Sequence, residues 1–340
     1  MLYVTTRNDR DAFTPYRVLR EDRGQDGGVY VPFRLPQMSG EEIAAFAEKR
    51  FNSRIADGLN LLFRTRLTSW DIDLAIGKES VRLQRLGQKI ILEECWHNPD
   101  RSFSGTVRAL SGLLCGSAED RESCADWVFV ASHIAVLCGV FGELLRTGMA
   151  GDGKTVDIAV AAGDFSALLG AWYARAMGLP VGTIVCCCGS NSAIWELFHY
   201  GQLRTESFAG EPGRTEEHAG LERLLYGAGG CPEVKRYLEA CRSGGVYQPE
   251  ERTLRKLREG MYITVSSPAR IAATEANLYK SEQLLLSYHA ALAYSGLQDF
   301  RAGTGMRENA LILSEQSPLL DGQWICKVLD IPEQEIKRYL

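Results

Sequence analysis

Residues 93–105 of the 340-residue chain read EECWHNPDRSFSG, a local concentration of acids, a base and a nucleophile. His97, flanked by Glu93, Glu94 and Asp100, is the kind of grouping used to move protons, with Arg101 as a fixed cation and Ser104 as a hydroxyl. An enzyme that holds its substrate or cofactor as an imine needs a lysine, and this stretch has none. His97 follows a predicted strand on a loop, so its simplest reading is a hydrogen-bonded loop histidine, with a catalytic base as the alternative. His133 sits inside an apolar run and reads as a satisfied core residue.

Two other motifs invite chemistry and fail on context. Cys186-Cys187-Cys188 ends a buried strand pattern, VGTIVCCC. Successive strand residues face opposite sides, so the three sulfurs cannot converge on one ion and serve as small apolar residues. GMAGDGKT at 148–155 fits GxxxxGK[ST] letter for letter. That loop binds phosphate where a strand runs into a helix, and here a helix precedes and a strand follows. It reads as a glycine-rich turn. GAGG at 227–230 needs only a turn between two helices.

The elements that would hold these residues follow from the pattern of the chain. The first 40 residues are turn-rich and extended, with a Gly-Gly turn before VYVP. EEIAAFAEKRFNSRIADGLNLLF and SWDIDLAIG read as amphipathic helices, QKIILEE as a strand, and 127–146 as a long buried helix. TVDIAVAAG, DFSALLGAWYARAMG and PVGTIVCCC then form a β-α-β unit, whose parallel strands need helices packed against them. Gly178-Leu179-Pro180 ends its helix. Residues 192–203 and 216–243 are helical, and MYITVS and ENALILSE are strands. The expected fold is α/β, a parallel-rich sheet flanked by helices with a helical N-terminal part.

Composition narrows the function classes. With 38 Lys+Arg against 43 Asp+Glu and a net charge of −5, no basic surplus marks nucleic acid or an anionic membrane as partner. The apolar run from Trp127 to Phe141 is shorter than the ~20 residues that cross a bilayer. MLYVTTRNDRDAF carries no apolar leader, and ten cysteines without a CxxC pair fit thiols in a reducing compartment. A cytoplasmic protein is expected.

Four stretches together resemble threonine synthase of the bacterial and fungal type, a pyridoxal phosphate (PLP) enzyme of fold type II, related in fold to the tryptophan synthase β subunit. TRNDRDAFTPYRVLREDRGQDGGVYVP is similar to that family's opening. VDIAVAAGDFSALLGAWYARAMGLPVGTIVCCCGSNSAIWELFHYGQL is similar to its strand, GNFGD-like loop, helix ending MGLP and next strand. HAGLERLLYGAGG resembles a helix with SNFERLLY, and ILSEQSPLL stands where the family has LSTAHPAKF. The resemblance covers most of the chain. It implies residues 1–92 as an N-terminal domain and 93–340 as a truncated α/β core, with a helical insertion around 200–258.

Carried over residue by residue, the resemblance implies lost chemistry. Against a family phrase like LWHGPTLAFKD, this chain has CWHNPDRSFSG, and Ser104 falls on the lysine that forms the imine with PLP. TVRALSGLLCGSAEDRESCAD then leads straight to Trp127, the Trp of a SINWARI-like helix. This leaves out the small subdomain with its substrate-gripping SGDTG-like loop. At the phosphate cradle the chain has Gly163-Asp164-Phe165-Ser166-Ala167; Asp164 would repel phosphate and fill the anion site itself, capping the helix. Ser314 and Glu315 lie where a Thr meets the pyridine nitrogen, and His289 matches the His of a DPHTA-like phrase without its Asp and Pro. The implied function is a threonine synthase-like protein without catalysis, acting as a binding, regulatory or partner subunit in a homo-oligomer or with a full-length paralogue. It would carry no cofactor, or PLP held without a covalent bond. The alternative is a divergent PLP-dependent or cofactor-free lyase of amino-acid metabolism, working around His97, Ser104 and Glu315.

Overall fold

The computed structural model describes residues 1–116, 126–163, 165–189, 192–205 and 214–337, the side chains of 214–217 excepted. β1 (Tyr3–Thr5) and β2 (Tyr30–Pro32) pair antiparallel, with α1 (Pro15–Val18) between them. α2 (Gly40–Glu48), α3 (Phe51–Phe63) and α4 (Ser69–Ile76) lead to the hairpin of β3 (Arg82–Leu86) and β4 (Ile90–Glu94). α5 (Phe103–Cys115) and α6 (Asp126–Arg146) precede the β-α-β unit of β5 (Val156–Ala161), α7 (Ser166–Ala176) and β6 (Val181–Cys188). A mostly helical excursion follows: α8 (Ala193–Tyr200), β7 (Leu203–Arg204), α9 (Arg214–Ser243), β8 (Val246–Tyr247) and α10 (Glu251–Arg258). β9 (Met261–Val265), α11 (Pro268–Glu282), α12 (Tyr288–Thr304), β10 (Asn309–Ser314), α13 (Gly322–Leu329) and α14 (Glu333–Ile336) complete the chain.

The large sheet runs β3-β4-β10-β5-β6-β9, parallel throughout except for β3. β10, last in sequence, inserts between β4 and β5. Strand ends far apart in the chain are thereby brought side by side, and crevices of this kind form ligand sites in open α/β sheets. Strand alternation divides the core between the two faces. Ile158, Val160, Ile184, Cys186 and Cys188 join the cluster that includes α6 and α7, while Ala159, Val185 and Cys187 join the cluster under α12. The three cysteines thus face opposite sides, as their spacing requires, and no metal-type cluster of His, Cys, Asp or Glu occurs among the described residues.

Several sequence expectations need correction. The first helical stretch is two helices, broken at Lys49 and Arg50, which are both extended. The break is satisfied by Arg54, which is 2% exposed. Its guanidinium donates to Phe46 O (2.5 Å) and Ala47 O (3.0 Å) at the open end of α2, and to Gly139 O (3.1 Å) on α6. α6 is 21 residues, long and apolar enough to cross a membrane by length and composition, yet it lies buried as a core helix. The β3 strand and helices α5, α11, α12, α13 and α14 carried no sequence expectation, and α1 falls in a stretch expected to be extended. The reading of 148–155 holds: Gly148, Gly151 and Gly153 all have positive φ, and Lys154 Nζ donates back to Gly148 O (3.2 Å), closing a turn from α6 into β5. Cys124 lies outside the described residues, and the other nine cysteines are free.

Candidate functional site

The segment after β4 is laced to the end of β10 by backbone and side-chain bonds. Cys95 N donates to Ser314 O (3.2 Å), Phe103 N to Glu315 O (2.6 Å) and Ser317 N to Arg101 O (2.9 Å). Arg101 takes a left-handed conformation with φ 53°. Asn98 closes the loop from inside, its Nδ2 donating to Ser102 O (2.7 Å) and Thr106 Oγ1 (3.1 Å). Ser102 caps α5 by accepting from Gly105 N (3.4 Å). These bonds fix the first turn of α5 beside the C-terminal ends of β5 and β10.

A cleft of about 230 Å³ opens there, lined by Ser104, Phe129, Gly163, Ser166, His289 and Glu315, with Ser102, Phe103, Ala161 and Gln316 completing its wall. Five residues singled out in the sequence, Ser104, Gly163, Ser166, His289 and Glu315, therefore meet at one place. No lysine or arginine is among the described residues that line it. A groove of about 360 Å³ between α4 and α5 is larger, but none of these five residues lines it, and its charged lining is Asp71 and Arg108.

Other expected site residues lie outside the cleft. His97 turns to Glu94, with Nε2 and Oε2 2.9 Å apart, and stacks on Trp96 at 4.0 Å between ring centroids. It is the hydrogen-bonded loop histidine of the simpler reading. Ser314 is 2% exposed, and its hydroxyl accepts from Trp96 Nε1 (3.3 Å), so it supports the loop and does not line the cleft. Phe165 and Ala167 are buried in the apolar core, Phe165 with φ 69° at the start of α7. Asp164 lies outside the described residues, and with it the expectation that its carboxylate fills an anion site.

The electrostatic centre of the cleft is Glu315, whose side chain is 31% exposed. Its Oε1 lies 2.9 Å from His133 Nε2, a close ionic approach without the alignment of a good hydrogen bond. Burial pushes the Glu315 carboxyl up, but the contact and charge of His133, with a smaller pull from His289, outweigh it and hold the group below the ordinary carboxylate range. Behind it Glu93 is fully enclosed on β4, and burial first, then the Glu315 charge, push its carboxyl up to about 8. Two neighbouring carboxyls are thus split, one ionised and one holding its proton at neutral pH. Phe103 stacks on His133 at 3.9 Å between centroids, which fixes the imidazole.

Reading the sequence alone missed His133 and undervalued His289. The available signal was a His in an otherwise apolar run, four residues after Phe129 and so on the same helical face. Nothing in the sequence showed that this face reaches a glutamate at the end of β10.

No protein-family model matches the chain. Among solved structures, yeast threonine synthase superposes with a TM-score of 0.82 at 14% identity, covering 99% of this chain and 93% of that one. The PLP-bound threonine synthase of Brucella melitensis gives 0.78 at 15% identity, covering 97% and 92%. The fold is therefore that of the fold type II PLP enzymes. Among curated proteins, human threonine synthase-like 1 is 22% identical over 204 residues, 57% of this chain and 26% of the relative. The mouse protein of that name is 26% identical over 112 residues, 32% and 14%. The chain thus matches about a quarter or less of the length of these relatives. It is threonine synthase-like in architecture and in this part of its sequence.

Proposed function

We propose that this threonine synthase-like chain binds a small molecule in the Glu315 cleft without imine chemistry, as a binding or partner subunit and not as a working PLP lyase. The observation that carries the reading is Ser104, the exposed second residue of α5, on the wall of the cleft where the resemblance puts the lysine. A hydroxyl cannot form an imine. Lys89 and Lys154 belong to the opposite end of the sheet, just before β4 and β5, and donate to Arg307 O and Gly148 O. PLP held as an imine does not fit these residues. Residence in the cytoplasm, and a second copy or a full-length paralogue as partner, belong to the same proposal.

The purified chain is mixed with PLP, scanned for imine absorption, reduced with borohydride and peptide-mapped. The expected result is no band and no specifically labelled lysine, while Ser104→Lys gains a band and a label at position 104. One labelled lysine in the wild-type chain would sink the proposal. A second reading is favoured by the His133–Glu315 contact backed by protonated Glu93, which is an acid–base set. In that reading the cleft runs cofactor-free lyase chemistry, and phosphate release from O-phosphohomoserine, abolished in Glu315→Gln, would decide for it.

A further inference from the structure

The charge and hydrogen-bonding character of the cleft specify more than a generic small ligand. Glu315 is the one carboxylate among its described lining residues, and no lysine or arginine faces it there. Its Oε1 is taken by His133, while Oε2 has no hydrogen-bond partner among the described residues. Gln316 spends its amide nitrogen on Asp321 Oδ2 (3.0 Å), which leaves its carbonyl oxygen as a second free acceptor. The Ser104 hydroxyl, exposed at the mouth, is a third. In the first turn of α5, Phe103 N bonds Glu315 O and Gly105 N bonds Ser102 Oγ, so neither of these two donors faces the cleft unpaired. Phe129, half-buried, supplies aromatic surface on the wall, while Phe103 is buried and stacked on His133.

An ammonium group has three N–H donors and no acceptor. Three acceptors, one of them charged, together with one aromatic ring on the wall, complement it. A cleft of about 230 Å³ suits a small molecule. We propose that the cleft takes a small organic primary ammonium, with its charge on Glu315 and an apolar body against Phe129. This rests on the reading of the cleft as a ligand site, and it specifies the sign of the ligand's charge. An anion would meet the ionised Glu315 with the His289 imidazole, and no lysine or arginine, among the described lining residues to offset it.

The test uses the full chain and three probes, benzylammonium, acetate and inorganic phosphate, with binding followed by ligand-observed NMR and titration calorimetry. Benzylammonium is expected to bind, acetate and phosphate not. Glu315→Gln should weaken benzylammonium roughly ten- to a hundredfold, the scale of one lost charge-assisted hydrogen bond. Ser104→Trp fills the mouth without touching the Glu315–His133 contact and should also abolish binding. It keeps the test decisive if Glu315→Gln misfolds. Binding of acetate or phosphate in place of benzylammonium, blocked by Ser104→Trp, would overturn the ammonium assignment and leave the cleft as a ligand site. Benzylammonium binding unchanged in both variants, or no binding of any probe, would overturn it too. Failure of the imine-free reading has its own signature, a PLP-labelled lysine.

Discussion

Glu93 and Glu315 show how one residue's surroundings, and not its type, decide its state. Glu315 was legible in the sequence as a site residue because the resemblance pointed to its position. Glu93 was named only as a neighbour of His97, because burial at a strand end is set by whatever packs over it. The folded-state carboxyl of Glu93, at about 8, stands above its ordinary 4.5, and Glu275, fully buried on α11, is likewise pushed to about 8 by burial. Between those two pH values the folded chain keeps protons that the unfolded chain releases. Stability is therefore greatest below about 4.5 from these groups, falls as pH rises through the window, and levels off above about 8. Each group contributes a slope of about 1.4 kcal/mol per pH unit. Urea denaturation at pH 5.5 and 7.5 should show Glu93→Gln removing about half of the slope from this pair, and a Glu93→Gln/Glu275→Gln double variant nearly all of it. An unchanged slope in the single variant would mean that Glu93 is ionised in the folded chain.

At the scale of elements, legibility followed the strength of the repeating pattern. β5, α7, β6 and α6 were readable because their apolar runs are long and their lengths distinguish strand from helix. The β3–β4 hairpin was half missed because β3, RLQRL, is mostly exposed at the sheet edge and shows no buried face. α5 was missed because it starts inside the loop that looked like an active site, where Ser102 is a cap and Ser104 a first-turn residue. The cleft depends on how closely α6 and α7 approach. A β-carbon built on Gly170 of α7 would stand 2.4 Å from His133 Cβ, so only glycine lets the His133 backbone settle at this depth. Gly170→Ala must push α6 away and carry the imidazole off Glu315. The expected cost is about 1–3 kcal/mol of stability from overpacking, read by urea denaturation, with benzylammonium affinity falling in the same variant although Gly170 does not line the cleft. Stability lost with affinity intact would separate the helix contact from the site.

Across the whole molecule, the order of strands was the least readable feature, since nothing local in ENALILSE says that it inserts between β4 and β5. The same long-range closure joins the N-terminal part to the rest. The division at 92/93 falls within β4, and one apolar cluster includes Tyr3 and Tyr30 together with Trp127, Ile158 and Leu224. Tyr3 Oη donates to Leu62 O (2.8 Å) and accepts from Trp127 Nε1 (3.2 Å), joining β1 to α3 and α6. Glu222 on α9 takes bonds from Thr6 Oγ1 and from Arg7 Nε and Nη2, both 3.0 Å. A terminal segment held by buried side-chain bonds to three distant helices should unfold with them, because leaving those partners unpaired in the core is costly. Far-UV circular dichroism, which follows all the helices, and tryptophan fluorescence, which includes Trp127, are expected to give coincident urea transitions. Tyr3→Phe orphans Trp127 Nε1 and Leu62 O, and should move both transitions together to lower urea by about 1–3 kcal/mol. Transitions that part company would show that the terminal segment and these helices do not unfold as one unit.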